Sequence, residues 1–272
     1  SVVGGIRNTS SSPYGFIGAG SDNKTTGIAS GVIAGSTNSA NGDYSIVCGG
    51  YNNSTVDYYS VVCGGSNNSS SGQRSIVCGG NNNSSSGESS FMGGGNNNIS
   101  SGLYSVVCGG NDNNSSKDNS TISGGRNNAS SGFYSTIGGG LSNKASGTQS
   151  TIAGGYNNES SGTQSTVCGG ASNRASGDSS IVLGGSSNSA DGKYSCAAGK
   201  GASDGGKNNT FVWSGSGTLN ANIVTLPGSG LTRGDDAVWF SVGTTGVSTD
   251  IGYIIYTNAT KTSGTYLLKG GS

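Results

Sequence analysis

An asparagine recurs every 15 residues through the first two-thirds of this chain without a single slip. A glycine stands three residues before each of them, as Gly5 stands before Asn8. A serine recurs at the same interval from Ser30 to Ser195. A strict period of this kind predicts a solenoid, in which each repeat adds one coil to a stack. The periodic asparagines are Asn8, Asn23, Asn38, Asn53, Asn68, Asn83, Asn98, Asn113, Asn128, Asn143, Asn158, Asn173 and Asn188.

The repeat unit reads as two short strands separated by two tight corners. Ile46, Val47 and Cys48 form a β-favouring run that ends at a glycine pair, and such pairs adopt positive φ angles at corners. The asparagine three residues after the pair is predicted to close the turn in the left-handed region. A weaker strand of small residues and a second corner glycine complete the coil. No helical period is present, so the fold class is all-β: stacked 15-residue coils forming a parallel β-roll or β-helix.

An aliphatic column runs through the repeats and argues against disorder, because low-complexity sequence has no reason to keep such a column in register. Ile46 and Cys48 face opposite to Val47, so the strand is apolar on both faces. A strand of this kind is buried on both faces, which predicts that one face fills the coil and the other meets another chain. The aliphatic column comprises Val2, Ile17, Val32, Val47, Val62, Val77, Met92, Val107, Ile122, Ile137, Ile152, Val167 and Val182.

These residues carry a resemblance to a known family. The pattern Tyr-Ser-x-Val-x-Gly-Gly-x-x-Asn-x-Ala-Ser-Gly resembles the head repeats of YadA-like trimeric autotransporter adhesins, and similar repeats occur in viral and phage fibre proteins. Residues 195–202 followed by 210–213 are similar to the way such arrays close. The resemblance covers roughly residues 1–213 and implies a homotrimer of intertwined left-handed parallel β-rolls.

Three segments are predicted along the chain. Residues 1–200 form an array of about thirteen 15-residue coils, and residues 201–217 form a closing segment, because Ala197 and Lys200 depart from the repeat. Residues 218–272 are predicted to form a small C-terminal β domain. Its predicted strands are 218–226, 237–242, 251–257 and 265–268.

The C-terminal segment also supplies the candidate contact residues: Trp239, Tyr253, Tyr256 and Tyr266. They have two interpretations, as the core of the small β domain or as a surface that contacts a glycan or receptor at the fibre tip.

Composition weighs against several classes of function. The sequence has no histidine, which removes the commonest general base and metal ligand, and we expect no enzyme, no cofactor and no metal site. Thirteen basic and thirteen acidic residues balance, so we expect no nucleic-acid partner. The apolar runs are too short for membrane insertion.

Cysteines and sequons recur with the period. Most cysteines share one position of the repeat, for example Cys48 and Cys63, and we expect small buried hydrophobic residues rather than a metal site or disulfides. Asn-x-Ser/Thr sequons occur at Asn68, Asn83, Asn98, Asn128 and Asn158, and we interpret them as accidents of the repeat.

Two functions from different classes agree with this sequence. The first is a structural fibre or adhesin: a trimeric rod on a virion, phage or cell surface that attaches to a host glycan or protein receptor. The second is a purely structural filament or spacer without recognition of its own. Both predict an extracellular or virion-surface location, with the chain itself as the principal partner.

Overall fold

The computed structural model describes residues 1–215 and the short strand Val224–Thr225. The predicted strands beyond residue 226 and the small C-terminal β domain lie outside the described residues. The described chain is a parallel β-solenoid of about fourteen coils without helix, which confirms the all-β, stacked-coil prediction. It divides into two units, Ser1–Tyr156 and Asn157–Ser272. No helix in the described part has the length and hydropathy to cross a membrane.

The first unit consists of two-residue strands that alternate between two parallel sheets, the even-numbered strands in one and the odd-numbered in the other. The strands are β1 (Thr9–Ser10), β2 (Phe16–Ile17), β3 (Lys24–Thr25), β4 (Gly31–Val32), β5 (Ser39–Ala40), β6 (Ile46–Val47), β7 (Ser54–Thr55), β8 (Val61–Val62), β9 (Ser69–Ser70), β10 (Ile76–Val77), β11 (Ser84–Ser85), β12 (Phe91–Met92), β13 (Ile99–Ser100), β14 (Val106–Val107), β15 (Asn114–Ser115), β16 (Thr121–Ile122), β17 (Ala129–Ser130), β18 (Thr136–Ile137), β19 (Lys144–Ala145) and β20 (Thr151–Ile152).

Strand register equals the sequence period. Ile46 pairs with Val61, and Val61 pairs with Ile76, so each residue lies over its counterpart in the next coil. Neighbouring strands of a sheet lie about 4.8 Å apart, which is therefore the spacing between equivalent side chains.

The aliphatic column forms the core, as predicted. Every member from Ile17 to Val182 is fully buried, whereas Val2 in the first coil is 44% exposed. The small residues of the second strand face the same interior, and Thr25 and Ala40 are also fully buried. A narrow coil has room for one aliphatic side chain opposite one small side chain, which explains why both columns are kept.

The first corner differs from its prediction in one detail. Gly50 has the expected positive φ of 89°, but the second left-handed residue is Asn52, with a φ of 52°, rather than Asn53. The Asn53 side chain instead links coils: its Nδ2 donates to the carbonyl oxygens of Gly49 and Gly65, both at 2.9 Å. Its Oδ1 accepts from the Asn68 backbone amide at 2.9 Å. The periodic asparagines thus form a buried ladder that satisfies corner carbonyls.

The second corner depends on close stacking and on the periodic serine. A Cβ added to Gly42 would lie 2.0 Å from the Asp57 carbonyl oxygen of the next coil. The Ser75 hydroxyl donates to the Gly72 carbonyl oxygen at 2.7 Å and lies 2.6 Å from the Ser70 hydroxyl. Glycine predominates here because a Cβ would crowd the next coil, although Asp57 and Lys117 occupy the same position in two coils. Serine recurs because its short hydroxyl reaches the corner carbonyl.

The second unit has the same kind of coil. Its strands are β21 (Glu159–Ser160), β22 (Thr166–Val167), β23 (Arg174–Ala175), β24 (Ile181–Ser186), β25 (Ser189–Ala190), β26 (Cys196–Lys200), β27 (Thr210–Ser214) and β28 (Val224–Thr225). β27 pairs in parallel with β26, which places the buried Val212 beside Ala197 in the core column. β28 then pairs with β27 in the antiparallel sense.

A buried aspartate ends the asparagine ladder. The Ala202 amide donates to Asn188 Oδ1 at 2.8 Å, and Asp204 follows as a fully buried residue. Its carboxylate accepts backbone amides from Asp191 at 3.1 Å, Gly192 at 2.8 Å and Gly206 at 2.9 Å. Burial raises the pKa of Asp204, but hydrogen bonds from Ser195 and these amides outweigh burial and hold the pKa below its ordinary value. The ionised carboxylate therefore stabilises the fold.

We expect Asp204→Asn to lower the free energy of unfolding by about 1–3 kcal/mol at neutral pH, because the new amide group opposes a backbone N–H. The carboxylate contribution is complete above the unfolded pKa of about 3.9 and is lost as pH falls through the lower folded pKa. The difference between the two proteins should therefore shrink in acid. Urea unfolding at neutral pH and at about pH 3 measures this, and a gap that is unchanged in acid would contradict it.

Candidate interaction surfaces

The even-numbered sheet of the first unit carries an apolar outer surface, here called the apolar face. Its side chains flank the core column on both sides and point away from it. At β6 and the residue that follows it, Ile46 and Cys48 are half-buried beside the fully buried Val47. Phe16 and Ile33 are 43% and 47% exposed. No charged residue interrupts it. The apolar face comprises Phe16, Ile33, Ile46, Cys48, Val61, Cys63, Ile76, Cys78, Phe91, Val106 and Cys108.

The outward side chains of this sheet are no longer mainly apolar after Cys108. The same two positions of the repeat carry Thr121 and Ser123, then Thr136 and Gly138, in the following coils. The apolar face is therefore confined to one part of the unit, although the coil beneath it is the same throughout.

A column of glycines borders the apolar face, here called the open glycine column: Gly49, Gly64, Gly79, Gly94 and Gly109. A Cβ built on Gly49 would meet nothing nearer than 3.7 Å, and one on Gly109 would meet nothing within 4 Å. Neither residue has a positive φ angle, whereas Gly64, Gly79 and Gly94 do, with φ angles of 159°, 154° and 137°. Nothing within the chain therefore requires glycine at these two positions.

The cysteines lie on the outward face of the strand, so the single chain does not bury them and their expected burial depends on a partner copy. All six are free, with Cys63, Cys78, Cys108 and Cys168 exposed. They occupy an outward position of the strand, opposite the core column. Partial burial, and then the neighbouring Cys63 thiol, raise the pKa values of Cys48 and Cys78. These thiols are therefore protonated at neutral pH and weak as nucleophiles.

Tyrosines project from the second corner and form an aromatic edge, defined by Tyr44, Tyr58 and Tyr59. Their side chains are 53%, 48% and 54% exposed. The rings of Tyr44 and Tyr59 stack with centroids 5.2 Å apart and planes inclined by 13°. Both residues have φ angles of 57°. The sequence placed tyrosine at a variable outward position but gave no sign of this left-handed backbone.

Amide side chains cover the first corner. Asn81 donates to Asn96 at 3.2 Å and Asn82 donates to Asn97 at 2.8 Å. The Asn97 and Asn111 amides lower the pKa of Asp112 below its ordinary value. These exposed side chains form a second asparagine ladder on the outer surface, and they hydrogen-bond with one another.

The sequon asparagines are inaccessible in the folded chain. Asn68, Asn83, Asn98, Asn128 and Asn158 are at most 1% exposed. The Nδ2 of Asn68 donates to the carbonyl oxygens of Gly64 at 3.0 Å and Gly80 at 2.9 Å, so a glycan there would displace both hydrogen bonds. This burial supports the interpretation that these sequons are accidents of the repeat.

The described residues contain no metal cluster, and they do not include the candidate contact residues of the C-terminal segment. Among residues 1–215, no group of three or more cysteines and carboxylates is placed to hold a metal ion. Trp239, Tyr253, Tyr256 and Tyr266 lie outside the described residues, and their proposed role at the fibre tip stays a prediction. Comparison with known proteins found no matching family model and no matching curated protein.

Proposed function

We propose that this chain is a structural fibre protein that self-associates as a homotrimer and projects from a virion, phage or cell surface for host attachment. The observation that carries the proposal is the apolar face. A single chain leaves this uncharged surface partly open to water, and covering it with equivalent surfaces of other copies removes apolar area from water.

Two members of the open glycine column, Gly49 and Gly109, support the choice of another copy as the occupant. Glycine without a conformational or steric reason inside its own chain is typical of a place where another backbone approaches closely. Gly49 and Gly109 meet this description and border the apolar face. A periodic partner matches a periodic surface, because every coil offers the same pair of positions at the same spacing.

The resemblance to trimeric adhesin heads supports three copies rather than two. The expected location is extracellular or on a virion surface. The alternative is a structural filament or spacer, which shares the self-association and differs only in lacking a ligand. A test of recognition therefore has to be separate from a test of assembly.

We expect light scattering of the native protein to give three times the chain mass of 26.5 kDa. Val61→Asp places a charge in the centre of the apolar face, and we expect its mass to fall towards that of one chain. The matched control is Thr136→Asp, which makes the same change at the same position of the repeat, outside the apolar face. A wild-type mass near that of one chain would contradict the proposal, as would equal dissociation of both variants.

A further inference from the structure

We propose that the aromatic edge at Tyr44, Tyr58 and Tyr59 is a lateral binding site for a neutral pyranose glycan. The proposal deepens the attachment role of the proposed function and rests on it for its biological meaning. Glycan binding and trimer assembly are measured in separate experiments, so each proposal can be contradicted independently of the other.

The first step is the backbone conformation. Tyr44 and Tyr59 occupy the left-handed region, where a bulky side chain is disfavoured and asparagine or glycine is tolerated best. Their backbone amides are fixed to the preceding coil: Tyr44 donates to the Ile28 carbonyl oxygen at 2.8 Å, and Tyr59 to that of Asp43 at 3.0 Å. The same corner position holds Asn119 in another coil, so the fold accepts the less strained residue.

The second step is that packing of the two rings in the core does not compensate for this backbone strain. More than half of each ring is exposed, so neither fills the core. The left-handed conformation itself belongs to the corner, because Arg74, Ser89 and Gln149 share it in other coils. What distinguishes this place is that tyrosine occupies the position in two successive coils, although packing within the chain does not require it.

The third step is the shape of the surface. The stacked pair forms one aromatic block held by two adjacent coils, with Tyr58 next to it in the sequence. The preceding coil has Ala29 at the same corner position, and a methyl group is too small to cover the outer ring face of Tyr44. The block is therefore an aromatic platform with an open face.

The fourth step is charge, which selects the ligand class. Asp43 Oδ1 accepts the Ile28 amide at 2.7 Å, and Asp57 Oδ1 accepts the Tyr58 amide at 2.7 Å. Arg74, the next residue in the corner column, is paired with Glu88. The carboxylates disfavour anionic ligands, and the only nearby cation that the described residues place in this column is neutralised.

A pyranose glycan matches these features. Its C–H faces stack on aromatic rings, and its hydroxyl groups hydrogen-bond with phenols and carboxylates. A linear glycan is also periodic, as the coils are. A purely apolar partner would leave the phenol groups without hydrogen-bond partners.

The test uses the full chain and three probes: maltohexaose, mannohexaose and chitohexaose, with a heparin hexasaccharide as the anionic comparison. We expect at least one neutral probe to bind in calorimetric titration. The double variant Tyr44→Asn/Tyr59→Asn should bind that probe about tenfold more weakly or not at all. Its thermal midpoint should be unchanged or higher, because asparagine relieves the strain, and its mass by light scattering should be unchanged.

The matched control is Tyr104→Asn, which has the same left-handed conformation, with a φ of 55°, but has Ser89 and Asn119 at the neighbouring corner positions. It should bind as the wild type does. The proposal is overturned if no neutral probe binds at millimolar concentration, if only heparin binds, or if the double variant binds as tightly as the wild type. Equal weakening by Tyr104→Asn would also overturn the assignment to the stacked pair.

Discussion

Val107→Asp is expected to abolish the folded coil. Val107 is fully buried between Met92 and Ile122 in the core column, where no side chain is available to pair with a carboxylate. A buried unpaired charge, added to the loss of an apolar contact, should cost at least about 5 kcal/mol. That is comparable to the whole stability of many folded domains.

Far-UV circular dichroism and urea unfolding measure this effect. The matched control is Val107→Ile, because the column already holds isoleucine at Ile122 and Ile137. The control should keep the β-sheet signal and lose little stability. A Val107→Asp protein that unfolds at the same urea concentration as the wild type would show that this column is not the core.

The period made the fold predictable, because one rule repeated along the sequence fixes both the register and the core. The pairing of Ile46 with Val61 follows directly from equal spacing, and burial of Val47 follows from alternation. No comparable repetition exists after residue 215, so the predicted strands of the C-terminal segment rest on composition alone.

The surfaces were less predictable, because they depend on backbone detail that residue types do not encode uniquely. Asparagine suits both a left-handed turn and a ladder, and the sequence does not tell Asn52 from Asn53; the φ of 52° at Asn52 decides between them. The strain at Tyr44 was hidden for the same reason, since tyrosine is not a residue that signals positive φ. The burial of the cysteines could not be read from the sequence, because alternation gives the facing of a strand but not what covers its outer face.

Gly110→Ala is expected to be among the most disruptive small substitutions in the first unit. Gly110 has a φ of 95°, and an added Cβ would lie 2.1 Å from the Gly125 carbonyl oxygen and 2.5 Å from Asn113 Nδ2. Both atoms are held in place, because Asn113 Nδ2 donates to that same oxygen at 2.9 Å. Relief would require neighbouring coils to separate, which breaks the ladder at this corner.

The expected loss is about 3–5 kcal/mol, from backbone strain together with the broken ladder hydrogen bonds. The adjacent Gly109→Ala is the matched control, since its Cβ would meet nothing within 4 Å and its φ is not positive. It should change the free energy of unfolding by less than about 1 kcal/mol, with any effect on assembly read separately by light scattering. Equal destabilisation by both substitutions would mean that loss of glycine flexibility in general, rather than the clash at the Gly110 corner, governs stability. A large loss from Gly110→Ala alone would establish that the corner glycine is required because the next coil occupies the space that a side chain needs.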